Sequence, residues 1–81
     1  MIGHVTRPGP EPYTPGMNVV DAITNAGGFT PFANRNGTTI MRIENGQKQV
    51  LEARVKDIVE GKAKNVPLKP GDIVSVPEGL I

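Results

Sequence analysis

Asn34-Arg35-Asn36 is the stretch of this chain best supplied for contact with a ligand, because two carboxamides flank a guanidinium. Several donors and acceptors then lie within short range, an inventory that suits sugar hydroxyls. Asparagine also favours turns, so the plainer reading of the same triplet is a solvated loop. Arg42, on a β-compatible run that can face the same side, and Tyr13 extend the candidate surface. Tyr13, Asn34, Arg35, Asn36 and Arg42 are therefore the candidate ligand-binding residues. Bond-making chemistry finds less support. His4 is the only imidazole and reads as an exposed strand residue; no serine stands in a nucleophile motif. Asp21, Asp57, Asp72 and Glu78 are scattered over a helix start, turns and the tail. Their spacing gives no reason to hold two of them across a cleft for acid–base work. Lys62, Lys64 and Lys69 read as a wet loop. No catalytic residue, metal-ligand set or cofactor is expected.

Composition narrows the classes further. Eighty-one residues make one small domain with a limited core. Hydrophobic residues at 37% and charged residues at 21% place it among globular chains. A net charge of +1 supplies no field for phosphate backbones, and Tyr13, Phe29 and Phe32 are too few for a base-stacking surface. Nucleic acid is not an expected partner. The chain has no cysteine, which removes disulfides, thiolate catalysis and zinc–thiolate sites. No apolar run approaches the ~18 residues of a membrane span, so this segment is not expected to enter a bilayer. The first strand begins within a residue or two of Met1, and the expectation is a domain excised from a longer protein.

The elements that must position these residues follow from periodicity and punctuation. Residues 2–6 read as a strand that stops at Arg7-Pro8-Gly9-Pro10, and Glu11 to Thr14 as a second strand. Pro15-Gly16 marks a type II turn. Asn18 is the expected N-cap of a two-turn helix with Val19, Val20, Ile23 and Ala26 on its apolar stripe. Gly27 fits the left-handed position that ends it, and Gly28 turns the chain away. Residues 29–37 are loop-like. Thr38 to Glu44 and Gln47 to Arg54 form a hairpin across Asn45-Gly46. Val55, Ile58 and Val59 predict one short helical turn before Gly61. Leu68-Lys69-Pro70-Gly71-Asp72 is a tight turn that feeds a closing strand over Ile73 to Val76. The predicted class is α+β, a β-grasp (ubiquitin-like): a mixed sheet of four to five strands wrapped on one main helix plus a short second one. Val20, Ile23, Ile58, Val74 and Val76 are its expected core. Gly27, Gly28, Pro70, Gly71 and Asp72 are assigned structural roles.

Four stretches in order carry a family resemblance: Ile2-Gly3-His4-Val5 with Arg7-Pro8-Gly9, Asp21-Ala22-Ile23 with Ala26-Gly27-Gly28-Phe29, Ile40-Met41-Arg42, and Leu68 with Pro70-Gly71-Asp72 and Val76-Pro77. Together the chain resembles the soluble-ligand-binding β-grasp (SLBB) domain over 1–81. Phe29-Thr30-Pro31-Phe32-Ala33 and Val76-Pro77-Glu78 make it similar to the branch found in bacterial outer-membrane polysaccharide export proteins. That resemblance implies a non-catalytic module that contributes to ring assembly or glycan contact. Its implied partners are a polysaccharide or oligosaccharide and other subunits of an export assembly. The implied location is periplasmic, within an outer-membrane-associated protein whose export-motif domain and membrane-spanning element lie elsewhere. The alternative is a small-ligand-binding β-grasp domain of a redox or cobalamin-related complex.

Overall fold

The computed structural model describes residues 1–79; the last two residues of the domain expected over 1–81 lie outside them. Strand β1 (Ile2–Gly3) is followed by helix α1 (Val19–Asn25) and a 3-10 turn at Arg35–Gly37. Strands β2 (Thr38–Glu44) and β3 (Gln47–Ala53), helix α2 (Val55–Val59) and strand β4 (Ile73–Val76) complete the order. The sheet runs β1-β4-β2-β3. β1 lies parallel to β4, while the other pairs are antiparallel. This is the expected α+β class with a four-stranded mixed sheet, consistent with a small β-grasp.

The N-terminal hairpin does not form. Glu11 to Thr14 forms no strand, and β1 instead adds to β4. Pro8, Pro10 and Pro12 remove every second amide from this stretch, and a ladder cannot be built without donors. The first strand is also shorter than expected. Gly3 sits at φ 94°, where a Cβ would overlap the Val76 carbonyl oxygen, so the chain bends there. Val5 rejoins only as an isolated bridge to Phe29.

Helix α1 begins and ends on side-chain and glycine chemistry. Asn18 Oδ1 accepts from the Asp21 N–H (2.9 Å) and Asp21 Oδ2 accepts from the Asn18 N–H (3.1 Å), a reciprocal capping box. At the other end the Gly28 N–H donates to the Ile23 carbonyl and the Gly27 N–H to the Thr24 carbonyl. Those two bonds form a Schellman motif, with Gly27 left-handed at φ 86°. Arg7 Nη2 donates to the Asn25 carbonyl (2.8 Å), so a cation meets the negative helix end. Asn45 (φ 53°) and Gly46 (φ 75°) close the β2–β3 hairpin as a type I′ turn, as their types required.

Val19, Ala22 and Ile23 of α1 and Val55 of α2 pack on Ile40, Ala53 and Val74 of the sheet. Val5, Ala26 and Val76 make a smaller cluster. Of the expected core, Ile23, Val74 and Val76 are buried, whereas Val20 and Ile58 are half-buried at its margin. The helices are too short to bury more than one narrow stripe each. Among the described residues nothing covers the opposite sheet face, and Ile2, Ile43, Val50 and Ile73 are exposed there.

Gly16 and Gly27 share a positive φ, 85° and 86°, but differ in surroundings. A Cβ at Gly16 meets open space, while one at Gly27 comes within 2.9 Å of Thr6 Cβ and Arg7 Nη1. Gly16→Val is expected to cost about 1–2 kcal/mol from backbone strain alone. Gly27→Val is expected to cost at least about 1 kcal/mol more, because packed neighbours must move. Urea unfolding of both variants checks this, and equal losses would remove the packing role of Gly27.

Candidate functional site

The expected polar surface divides into two concavities. The first is built where the loop after α1 meets the chain after β4. Ala33 forms a bridge with Glu78, the Asn34 N–H donates to the Pro77 carbonyl (2.9 Å), and the Gly79 N–H donates to the Phe32 carbonyl (2.6 Å). This clip holds a cleft of about 380 Å³ with Phe32, Asn34, Arg35, Asn36 and Lys56 in its lining. Two of the amides are occupied by architecture. Asn34 Oδ1 accepts from the Gly37 N–H (3.0 Å) and caps the 3-10 turn. Asn36 Oδ1 accepts from the Asp57 N–H (3.2 Å) while its Nδ2 donates to Asp57 Oδ1 (3.3 Å), tying the loop to α2.

Arg35 is exposed, and its guanidinium makes no hydrogen bond among the described residues. Phe32 is 66% exposed. Lys56, on α2, adds a second cation at the cleft. A loop tied down by hydrogen bonds thus presents a cationic and aromatic surface, which can take an apolar ring face together with acceptor or anionic groups.

The second concavity, about 360 Å³, lies between the proline-rich segment and the Lys69–Asp72 turn. Tyr13 is at its edge and its hydroxyl donates to the Leu68 carbonyl (3.3 Å). Met17, Ala22, Leu68 and Val74 give it an apolar floor. Glu11 Oε1 is enclosed and has no hydrogen-bond partner among the described residues. Tyr13 therefore does not share a pocket with Asn34, Arg35 and Asn36.

Arg42 belongs to neither lining. Its Nη2 and Nε engage Asp72 at 2.7 and 3.0 Å, and Nη2 also donates to the Pro67 carbonyl (3.2 Å). The side chains are only 13% and 3% exposed. Burial pushes the Asp72 carboxyl up, but the Arg42 hydrogen bond and the Lys69 N–H (2.9 Å) outweigh it and hold it below its ordinary value. The hydrogen bond to Asp72 raises Arg42 in turn. Asp72 is thus more than a turn former: it anchors the turn to the sheet. Asp57 is also held low, first by its bond from Arg54 and then by Asn36. His4 is half-buried, with Nδ1 3.4 Å from Thr30 Oγ1, on neither concavity.

The stretches that made up the resemblance meet in space: Gly3 against Val76, Arg7 on the α1 end, Arg42 on Asp72. The SLBB domain family model matches residues 1–76. The chain belongs to the SLBB domain family. No curated protein matches it. Membership places the SLBB domain among soluble-ligand-binding β-grasp modules. Phe32, Lys56 and Glu11 escaped the sequence reading. Phe32 sits beside Pro31 with no periodicity to declare its exposure, and Lys56 reaches the cleft only once α2 docks on the 3-10 turn. Among the described residues no group of three His, Asp or Glu side chains converges, and no helix is long and apolar enough to cross a membrane.

Because Asp72 is depressed in the folded state, its contribution is complete above the unfolded value. It is lost as pH falls through the folded one. The urea midpoint of the wild type should therefore drop below about pH 4, and that of Asp72→Asn should fall less over the same window. Arg42→Met at pH 7 should cost about 3 kcal/mol, since it strands a buried carboxylate. Parallel pH profiles for wild type and Asp72→Asn would contradict this.

Proposed function

We propose that this SLBB domain is a non-catalytic binding and assembly module of a bacterial polysaccharide export protein. In this reading it works in the periplasm, where the Phe32–Arg35 cleft contacts a glycan in transit. One observation carries it. The two stretches that specify the export branch of the resemblance, Phe29 to Ala33 and Val76 to Glu78, lie side by side through the Ala33–Glu78 bridge, and Pro31, Phe32 and Ala33 of the first line the cleft. The cleft is open at the surface, which suits a polymer passing across it better than an enclosed small molecule. Arg35 and Lys56 favour sugars with carboxylate groups, and Phe32 offers a stacking face.

An amide-resolved NMR titration with a tetragalacturonate and with maltotetraose tests the reading. The acidic sugar should shift the amides of Phe32 to Asn36, and Arg35→Ala should weaken it by roughly 3–30-fold, the loss of one charge-assisted contact. Absence of shifts at those amides, or an unaltered affinity in the variant, would refute it.

The groove at Tyr13 favours the second reading, a small-ligand-binding domain of another complex. Its apolar floor and the unpartnered Glu11 oxygen suit a small amphipathic molecule bearing an N–H donor. The same spectra separate the two, because benzylammonium would move Glu11, Tyr13 and Leu68 rather than the Phe32 loop.

A further inference from the structure

β3 is one edge of the sheet, seven residues long and, among the described residues, paired only with β2. A two-residue type I′ loop closes on a hydrogen-bonded pair, here Glu44 with Gln47. Alternation then directs the backbone groups of Gln47, Gln49, Leu51 and Ala53 toward β2. Those of Lys48, Val50 and Glu52 point away from the sheet. The side chains of these same three residues stand on the uncovered face, where Val50 is 60% exposed.

We propose that this edge pairs with the β3 edge of a second copy of the chain, antiparallel about a two-fold axis at Val50. In that register Val50 faces Val50 and each Lys48 faces the other copy's Glu52. All three outward residues of each strand then sit in hydrogen-bonded pairs, and both charge pairs are opposite in sign. Sliding by two residues sets Lys48 against Val50, leaves an outward residue of each strand without its partner and loses both charge pairs. Charged residues on an edge ordinarily guard it against pairing. Here the guard is self-complementary, so it rejects other registers and admits one. The two Val50 side chains, exposed in the monomer, meet at the axis. The pairing is isologous and closed, which gives a dimer rather than a fibre.

A ribbon of this length buries less than the roughly 1,000 Å² of a stable interface, so the dimer is weak, half-formed between about 0.1 and 1 mM. Sedimentation equilibrium of the 81-residue chain up to 1 mM tests it, with circular dichroism to verify folding. Lys48→Glu and Glu52→Lys each turn two attractive pairs into two repulsive ones and should weaken association about tenfold or more. The two substitutions together should restore it to within about threefold, because the charges swap places but still match. Val50→Pro, which removes an outward N–H and leaves the β2 ladder intact, should abolish it. A chain that stays monomeric at 1 mM would leave the edge to an extended segment of some other protein and overturn the proposal. So would a dimer indifferent to both single charge reversals, or a double variant as weak as either single one.

Discussion

The Arg42–Asp72 ion pair ties together three parts of the molecule: strand β2, the turn ahead of β4 and the segment that crosses the start of α1. Arg42 stands near the end of β2, and its fork reaches both Asp72, ahead of β4, and the Pro67 carbonyl. Residues 66–68 in turn strap the start of α1: the Val19 N–H donates to the Val66 carbonyl and the Leu68 N–H to the Met17 carbonyl. One guanidinium therefore links the strap over the start of α1 to the sheet. A lysine could satisfy one of these acceptors but lacks the planar fork for both. Burying the pair costs desolvation, so its value lies in fixing the arrangement more than in raw stability.

The other end of α1 is secured by a different device. Thr6 and Arg7 bond to the carbonyls of Asn25, Ala26, Gly27 and Gly28 through backbone and side-chain donors. The carbonyls of Asn25 and Ala26 are among those a helix leaves unpaired at its C-terminus. With both ends held, the loop from Phe29 to Gly37 departs in a fixed direction and meets Pro77 to Gly79. Asn34 and Asn36 are consumed in holding that loop, and Arg35 between them is left facing outward. A triplet that looked like three equivalent ligand groups is two braces and one reporter.

How much of this was legible depended on how local its cause is. The Asn45-Gly46 turn, the Asn18 cap and the Gly27-Gly28 stop are decided within a few residues, and each lies where its residue types require. The segment 11–14 differs from its sequence pattern because its side chains suit a strand while the prolines in and before it withhold the donors, and the donors decide. Arg42 looks like a surface group in the sequence because its partner lies 30 residues away, and nothing near it announces the pair. Tyr13 was grouped with the asparagine loop on residue type alone; only the path of the proline-rich segment separates them. The candidate cleft was legible as a loop but not as a cavity, since Lys56 and Gly79 arrive from distant parts of the chain.

Edge pairing and the cleft bear on one another through the direction of β3. Ala53, at the end of β3, pairs with Thr38, which directly follows the 3-10 turn carrying Arg35. Each cleft therefore lies beyond the Ala53 end of its own strand. In an antiparallel pair centred on Val50 the two Ala53 ends point in opposite directions, roughly 20 Å apart along the ribbon. Two cationic clefts then sit at the far ends of one continuous sheet. A short oligosaccharide fills one of them and gains nothing from the pairing. A long chain can engage both, and the second contact forms at the high effective concentration that the first one sets. Under the proposed glycan-binding role, chain length would then add to the preference for acidic groups that Arg35 and Lys56 supply.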